Sequence, residues 1–323
     1  MKNLLRLFPL VLLLALGGCS KGSPRVLIFS TSEDFRIAAA QELLDSRFPE
    51  YEIVIDYYST GSLAAKLKAE GTQTECDIIG ELESGYMEGI LDFLADLSFI
   101  DDSVFLEELV PSHRRYLPFY KSTGCIALNE SFLQARGLPV PSSYDDLTRP
   151  LYKGVLSMPN PKSSGTGYFF LKNLVNVRGE EAAFAYFDRF AENVLQFTTS
   201  GSGPVNALVQ GEAGIGLGMT FQVVSQINQG VPLSIRFFEE GSPYAAYGAS
   251  IIRGRETRPE VREVFAYYIN EVSRVDKELF SPERIFKDQA GTIPNYPADV
   301  KMADMEGIEN LGEKERLLAR WPY

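Results

Sequence analysis

The chain of 323 residues contains one histidine, His113, and three cysteines. A Ser–His–Asp or Cys–His catalytic set would depend entirely on that histidine, which lies in a polar stretch beside two arginines. No cysteine pair has CxxC spacing, and the motifs HExxH and GxxxxGKS/T do not occur. The sequence therefore argues against an enzyme, and it predicts no catalytic residue, no metal site and no cofactor.

Positive charge is also in short supply. The chain has 31 Lys and Arg residues against 43 Asp and Glu residues, which gives a formal net charge of −12 at pH 7. An acidic protein without a long Lys/Arg run is repelled by phosphate backbones, so a nucleic-acid partner is not expected. The length is too great for one small core and suits two lobes.

Long hydrophobic runs are absent too. The apolar run at residues 7–16 is too short to span a membrane, and it follows a basic start, as in a signal peptide. It ends on Gly17, Gly18 and Cys19, which resembles a bacterial lipobox. We expect residues 1–18 to be a signal peptide and residues 19–24 a tether anchored by a lipid on Cys19. A cleaved signal peptide that merely has a nearby cysteine is the alternative.

Apart from Cys19, the mature chain has two cysteines, Cys76 and Cys125. In an oxidising compartment these two could form a disulfide. They could equally be buried thiols, because free cysteine is among the most buried residue types.

The first third of the chain reads as an alternating α/β unit. Strand-like runs at 25–29, 51–58 and 76–80 alternate with helical patterns, which predicts a parallel sheet with right-handed crossovers. Ligands of such sheets bind beyond the carboxyl ends of the strands. The polar residues expected at that edge are Ser30, Thr31, Ser32, Ser59, Thr60, Gly61, Ser62 and Glu81.

A second α/β unit repeats the same pattern. Hydroxyl- and glycine-rich loops at 163–167 and 200–203 each follow a strand-like run and open a helix. Helix N-termini have unpartnered N–H groups and partial positive charge, so they suit an anion. Simple capping of the helix by Ser164 or Thr166 is the alternative. The candidate ligand residues here are Ser163, Ser164, Gly165, Thr166, Gly167, Ser200, Gly201 and Ser202.

Further segments complete the predicted organisation. GIGLG at residues 214–218 lies inside a strand, so close packing explains it better than a dinucleotide site. Residues 116–128 and 244–252 read as extended crossings between lobes. Residues 259–273 read as an amphipathic helix, and we expect the tail, residues 280–323, to wrap over the first lobe.

At this point the pattern resembles a known family. The lipobox, YYSTGSL at 57–63, CDII at 76–79, SGTGY at 164–168 and GEAGIGL at 211–217 together resemble the family 1 extracellular solute-binding proteins of bacterial ABC importers. The similarity covers nearly the whole mature chain. It is strongest to the branch that holds binders of ferric iron, phosphonates, hexose phosphates and thiamine.

This resemblance implies a fold and a partner. The expected fold is α/β, the two-lobe, type II periplasmic-binding-protein fold, with two crossover strands at the hinge and the ligand in the interlobe cleft. Residues 25–121 and 248–323 would form lobe 1, and residues 122–247 would form lobe 2. The loaded protein, expected to be a monomer, would dock on an ABC permease in the membrane.

The ligand is less clearly specified by the resemblance. Iron-binding members carry adjacent tyrosines just after the GExAIGL-like strand, where this chain has Met219, Thr220, Phe221 and Gln222. That departure removes the phenolates that a ferric ion needs. Thr220 and Gln222 could instead add polar contacts, and Glu81 could meet a substrate amine or sugar hydroxyl.

The favoured hypothesis is a lipid-anchored receptor for a small organic anion, either a phosphate ester or a phosphonate. Ferric iron and thiamine or thiamine phosphate are the alternative ligands. A pair of lobes that serves as a sensor for a signalling partner is a third possibility.

Overall fold

Nine strands form one mixed sheet in the computed structural model, which describes residues 23–323. The predicted signal peptide and the predicted lipidation site, Cys19, lie outside the described residues. The strands are β1 (Arg25–Ser30), β2 (Glu52–Tyr57), β3 (Ile78–Glu83), β4 (Leu117–Leu128), β5 (Leu156–Pro159), β6 (Val194–Thr198), β7 (Ile215–Met219), β8 (Ser234–Arg236) and β9 (Tyr244–Ile251).

Eleven α-helices lie between and after these strands within residues 23–323. They are α1 (Asp34–Arg47), α2 (Thr60–Glu70), α3 (Ser84–Glu88), α4 (Glu130–Ala135), α5 (Gly165–Arg178), α6 (Glu180–Ala191), α7 (Gly203–Val209), α8 (Thr220–Asn228), α9 (Pro259–Tyr267), α10 (Ser273–Leu279) and α11 (Leu311–Arg320).

Strands β1, β2 and β3, with the helices between them, form what we call the first half. β1 pairs in parallel with β2 on one side and with β3 on the other. Its residues from Val26 onward are buried, as expected of a parallel strand that is covered on both faces. The predicted alternating α/β order is confirmed here. Helix α2 begins at Thr60, earlier than the apolar pattern predicts, because the hydroxyl-rich loop forms its first turn.

Strands β5, β6 and β7 form the second half, and they too are parallel. The GIGLG segment lies largely in the buried strand β7, where Gly216 faces Leu208 and Pro204, so the packing explanation is confirmed. Strand β8 has only three residues and pairs with β4.

Two long strands join the halves. β4 and β9 are antiparallel to each other, and β9 also pairs with β3 while β4 also pairs with β7. The sheet order is therefore β2-β1-β3-β9-β4-β7-β5-β6. The predicted pair of crossing strands is confirmed, and the cleft between the halves lies across them.

The sequence predicts that the tail packs over the first half, but in the structure the tail also packs on the second half. Leu311 at the start of α11 lies against Gly89 in the first half. Trp321, only 1% exposed, packs edge-on against Phe187 and Phe197 of the second half at centroid distances of 5.0 and 5.7 Å. Because Phe187 and Phe197 form a slot on the second half that holds Trp321, the tail contacts both halves.

Lys314 of α11 is buried where the halves and the tail meet. Its ammonium group lies beside the Glu83 carboxylate, 3.8 Å from the ring centroid of Tyr86 and 4.3 Å from that of Tyr168. Burial lowers the pKa of Lys314 well below its ordinary value. Tyr86 belongs to the first half and Tyr168 to the second, so this one side chain touches both.

Cys76 and Cys125 are free thiols, and both are buried. They pack in different hydrophobic clusters, one in each half, which explains why they do not form a disulfide. Burial raises the pKa of both thiols, that of Cys125 to about 12. The interpretation as buried thiols is therefore correct.

Candidate functional site

A cavity of about 350 Å³ lies where the two halves face each other across β4 and β9. This volume suits a small organic molecule. The predicted site residues that line it are Thr31, Ser59, Thr60, Ser163, Ser164, Thr166, Ser200, Gly201, Ser202 and Gln222. The lining residues that the sequence did not single out are Glu33, Asp34, Phe35, Tyr57, Tyr120, Asn206, Met219, Gln226 and Tyr247.

The N-terminus of α5 opens onto this cavity. Strand β5 ends at Pro159, and the Asn160 carbonyl oxygen then accepts hydrogen bonds from the N–H groups of Ser163 (3.1 Å) and Ser164 (2.9 Å). This turn places Ser164 at the N-cap, yet its side chain makes no capping hydrogen bond. Ser164 is buried and lines the cavity, and its hydroxyl and the first N–H groups of the helix are left for a ligand there. Capping alone therefore does not account for Ser164.

The N-terminus of α2 shows the opposite behaviour. The Ser59 side chain accepts a hydrogen bond from the Ser62 N–H at 3.4 Å and donates one to the Ser62 hydroxyl at 2.8 Å. Ser59 is a cap as well as a lining residue. Ser62, predicted as a ligand residue, is instead an exposed partner of that cap and does not line the cavity. Thr60 is buried and lines it.

Three predicted glycines do not line the cavity but let the loops around it come close. A Cβ on Gly61 would lie 2.5 Å from the carbonyl oxygen of Lys162 in the other half. A Cβ on Gly165 would meet the Tyr247 hydroxyl, and one on Gly167 would meet the carbonyl oxygen of Pro159. Their role is close packing at the cavity wall.

The third predicted loop contributes hydroxyl groups from the second half. The Ser200 and Ser202 hydroxyls lie 3.0 Å apart, and Gly201 packs against the Thr166 hydroxyl. Helix α7, which follows, is only seven residues long and begins with proline as its second residue. The loop therefore offers side chains rather than a strong helix terminus.

Glu81 was predicted to contact the ligand, and it is not among the residues that line this cavity. Its side chain is fully buried. One carboxylate oxygen accepts hydrogen bonds from the Ser30 hydroxyl (2.6 Å) and from the N–H groups of Thr31 (2.8 Å) and Ser32 (2.6 Å). The other oxygen accepts one from the Tyr268 hydroxyl at 3.0 Å. Both oxygens of the Glu81 carboxylate are therefore occupied by hydrogen bonds from neighbouring residues.

The same contacts correct two further predictions. Ser30 and Ser32 are buried, and Ser30 uses its hydroxyl on Glu81, so neither lines the cavity. Thr31 alone of this loop reaches it. Tyr268 lies in a π turn (Tyr268–Val272), which interrupts the helix predicted at 259–273. Glu81 therefore positions the Ser30–Ser32 loop and does not bind ligand itself.

Thr220 and Gln222 both lie at the start of α8, but they line different cavities. Thr220 lines a second cavity with Thr123, Glu283 and Tyr296 and does not line the candidate site. Gln222 does line the site, and it is 3% exposed.

The amide of Gln222 is fixed by its neighbours. Its nitrogen donates to the Ser202 carbonyl oxygen at 3.2 Å and to the Asn206 side-chain oxygen at 3.1 Å. Its oxygen is buried and has no hydrogen-bond partner among residues 23–323. A buried amide oxygen left in this way is an acceptor available to a ligand.

Two tyrosines from the crossing strands form part of the wall. The rings of Tyr120 on β4 and Tyr247 on β9 are stacked, with centroids 4.5 Å apart and an angle of 14° between planes. Burial raises the pKa of both hydroxyls. The sequence placed these strands in the hinge but singled out neither tyrosine, because their pairing depends on the register of β4 against β9.

Two carboxylates also face the cavity. Glu33 and Asp34 stand at the start of α1. Burial raises the pKa of the Glu33 carboxyl, and the Arg36 guanidinium opposes that shift without cancelling it. Among the residues described, none of those lining the cavity is Lys, Arg or His. Any anion here is bound by hydroxyl and backbone N–H groups.

The ferric alternative finds little chemical support in this part of the chain. Within residues 23–323, no three His, Cys, Asp or Glu side chains are placed to hold a metal ion together. The only tyrosines on the crossing strands that face the cavity have raised pKa values, which disfavours the phenolate form that coordinates iron.

The sheet order, the two crossing strands and the cleft between the halves define a type II periplasmic binding protein. Residues 82–274 match the family model described as bacterial extracellular solute-binding protein, and the chain belongs to this family. Membership implies a binding protein rather than an enzyme, with a small solute as ligand and an ABC permease as partner, located in the periplasm or cell envelope. No helix within residues 23–323 has the length and apolar character needed to cross a bilayer.

Similar proteins bind chemically different solutes. An uncharacterized protein of Haemophilus influenzae is 26% identical over 257 residues, which cover 75% of this chain and 71% of that one. AfuA from Actinobacillus pleuropneumoniae, solved with exogenous fructose-6-phosphate bound, has a TM-score of 0.82 and 21% identity, covering 92% of this chain and 97% of its own. Iron-bound HitA from Pseudomonas aeruginosa has a TM-score of 0.77 and 16% identity, covering 93% and 100%. The TM-scores establish the fold, and these similarities do not identify the solute of this chain.

Proposed function

We propose that this protein captures a small phosphate ester or phosphonate between its halves and delivers it to an ABC permease. The observation that carries the proposal is the start of α5. There a buried N-cap serine, Ser164, keeps its hydroxyl free beside Thr166 at a helix end with unpartnered N–H groups. A helix terminus of this kind binds an anion without a basic side chain.

The surrounding hydroxyls support the same ligand class. A phosphate or phosphonate group has three strong acceptor oxygens, and both halves present donors to the cavity. Thr60 comes from the first half, and Ser200 and Ser202 come from the second. The similar protein AfuA was solved with fructose-6-phosphate, a phosphate ester, which agrees with this choice.

The test is calorimetric titration of residues 20–323 with fructose-6-phosphate, glucose-6-phosphate and 2-aminoethylphosphonate. We expect at least one to bind. Ser164→Ala and Thr166→Ala should each weaken binding by about 1–3 kcal/mol, the value of a hydrogen bond to a charged group. Ser98→Ala, at an exposed serine that does not line the cavity, is the control and should leave Kd unchanged. Unchanged affinity in both cavity variants would show the proposal to be wrong.

We further propose that the halves act as lobes of residues 25–121 with 248–323 and of residues 122–247, closing about β4 and β9. Small-angle scattering should show a smaller radius of gyration when ligand is added. An unchanged radius with saturating ligand would contradict closure by rotation of the lobes.

The membrane anchor is also a proposal. We propose that Cys19 carries a lipid that holds the protein at a membrane. Full-length protein should then fractionate with membranes and incorporate labelled palmitate, and Cys19→Ser should lose both properties. Ser20→Ala is the matched control and should keep them. Palmitate incorporation by the Cys19→Ser variant would rule out this anchor.

A further inference from the structure

The wall of the cavity contains two chemically different groups of residues. In one group the N-termini of α2 and α5 meet, because the Gly61 N–H donates to the Ser163 carbonyl oxygen at 3.2 Å. Gly165 at this point lies against the Tyr247 hydroxyl. Hydroxyl groups and unpartnered helix N–H groups dominate here. We call this group, residues 59–60 and 163–166, the donor end.

The other group lies where α1 meets α8. The Arg36 guanidinium lies 4.1 Å from the ring centroid of Tyr120 and 4.9 Å from that of Phe221, so the start of α1 is held against the start of α8. Glu33 and Asp34 come just before Arg36, and Gln222 comes just after Phe221. We call Glu33, Asp34 and Gln222 the acceptor end.

Two acceptor atoms at this end are buried and unsatisfied. Within residues 23–323, neither the Gln222 side-chain oxygen nor the outer carboxylate oxygen of Glu33, Oε2, has a hydrogen-bond partner. Glu33 Oε2 forms an ion pair with the Arg36 guanidinium at 3.5 Å, which is too long for a well-formed hydrogen bond, so its charge has a partner while its hydrogen-bonding capacity is left open. The other two nitrogens of Arg36 are bound to Asp276 at 2.7 and 2.9 Å. Buried acceptors without donors are costly, so this end calls for a ligand that brings N–H or O–H groups.

The charged residues around the cavity indicate which donor group the ligand carries. Arg36 and its neighbour Lys277 are both paired with Asp276, Arg36 also forms an ion pair with Glu33, and neither cation lines the cavity. Two carboxylates line the cavity and no basic side chain among the described residues offsets them there. Phe35 and Tyr57, which are exposed, also line the cavity, and aromatic rings attract cations. A protonated amine satisfies both needs, because it carries positive charge and several N–H donors.

We infer that the ligand is a zwitterion, with its phosphate or phosphonate at the donor end and a protonated amine bound by Glu33, Asp34 and Gln222 at the acceptor end. This inference rests on the proposed function and adds to it the second group that the ligand must carry. It also moves the amine contact from Glu81, which is fully occupied, to Glu33.

The test compares two ligands that differ only in the amine, 2-aminoethylphosphonate and ethylphosphonate. In calorimetric titration of residues 20–323, the amine should improve Kd by about tenfold or more, as expected of a charge-assisted hydrogen bond. Glu33→Gln and Asp34→Asn should each reduce that preference, and the double variant should bring the two ligands to within about threefold of each other. Asp34 is exposed, so its variant tests the idea even if Glu33→Gln folds poorly. Glu42→Gln, the same change at an exposed position of α1, should keep the full preference.

The outcomes separate the two proposals. Equal binding of both phosphonates, or tight binding of fructose-6-phosphate with no binding of 2-aminoethylphosphonate, would overturn the zwitterion while leaving the anion site standing. Binding of ethylamine as tight as that of 2-aminoethylphosphonate would confirm the acceptor end and contradict the donor end. If no phosphate ester or phosphonate binds at all, the proposed function fails and the zwitterion with it.

Discussion

The backbone N–H of Gly61 donates a hydrogen bond to the carbonyl oxygen of Ser163 at 3.2 Å, and this contact ties the helix N-termini of α2 and α5 together across the cleft. The two residues lie in opposite halves, and the contact exists only because Gly61 has no side chain. A Cβ there would lie 2.5 Å from the carbonyl oxygen of Lys162. The donor end of the cavity is therefore built from residues of both halves.

The first prediction follows from that contact. Gly61→Ala should weaken ligand binding by about 1–3 kcal/mol, the usual cost of overpacking, because the added methyl group opposes closure. Stability without ligand should change less, since the halves can open slightly to relieve the clash. Titration of the ligand found in the screen measures Kd, and Gly312→Ala on the exposed side of α11 is the control. An unchanged Kd would mean that the closed contact does not form when ligand binds.

The second prediction concerns Glu81. Glu81→Gln keeps the shape but removes the charge that three short hydrogen bonds from residues 30–32 rely on. A hydrogen bond to a charged group is worth roughly 1 kcal/mol more than one to a neutral group, so the free energy of unfolding should fall by about 3 kcal/mol. Urea denaturation measures it, with Glu42→Gln as the neutral control. Full stability together with lost binding would restore Glu81 as a ligand contact.

The third prediction tests the tail. Trp321→Ala should lower the free energy of unfolding by about 3–5 kcal/mol, because it empties the aromatic slot between Phe187 and Phe197. Tyr323→Phe removes only an exposed hydroxyl that donates to Asp188, and it should cost about 0.5 kcal/mol or less. Both are read from urea denaturation. Equal stability of the tryptophan variant and the native protein would show that the tail is not part of the folded unit.

The fourth prediction is a pH dependence set by Glu33. Its pKa is raised in the folded protein by burial, so ionising it opposes folding as the pH rises through that raised value. Glu33→Gln should therefore stabilise the ligand-free protein at pH 7, and the gain should vanish below about pH 4, where the carboxyl is protonated in both folded and unfolded states. Thermal unfolding from pH 3.5 to 8 measures the difference. A gain that is constant over this range would assign it to some other cause.

The positions of the helix N-termini could be predicted from the sequence. Ser59 and Ser164 each follow a parallel strand, and the carboxyl ends of parallel strands share one edge of a sheet, so the order of elements alone brings such loops together. The crossing strands could be recognised for a similar reason, as long extended segments between two α/β units.

The contacts that individual side chains make could not be predicted in the same way. Glu81 follows a strand at the expected edge, yet three donors from the neighbouring loop consume its carboxylate. Thr220 and Gln222 are two residues apart, and the turn of α8 sends them to different cavities. The stacking of Tyr120 on Tyr247 depends on the register of β4 against β9, which no local pattern reveals.

The most direct measurement is a thermal-shift screen of residues 20–323 with phosphate, sugar phosphates, 2-aminoethylphosphonate, thiamine phosphate and ferric citrate. A ligand that binds only the folded protein must raise its Tm. We expect the Tm to rise with a phosphate ester or phosphonate, and to rise most with a compound that also carries an amine. A rise with ferric citrate alone, with none of the phosphorylated or phosphonated compounds active, would contradict it.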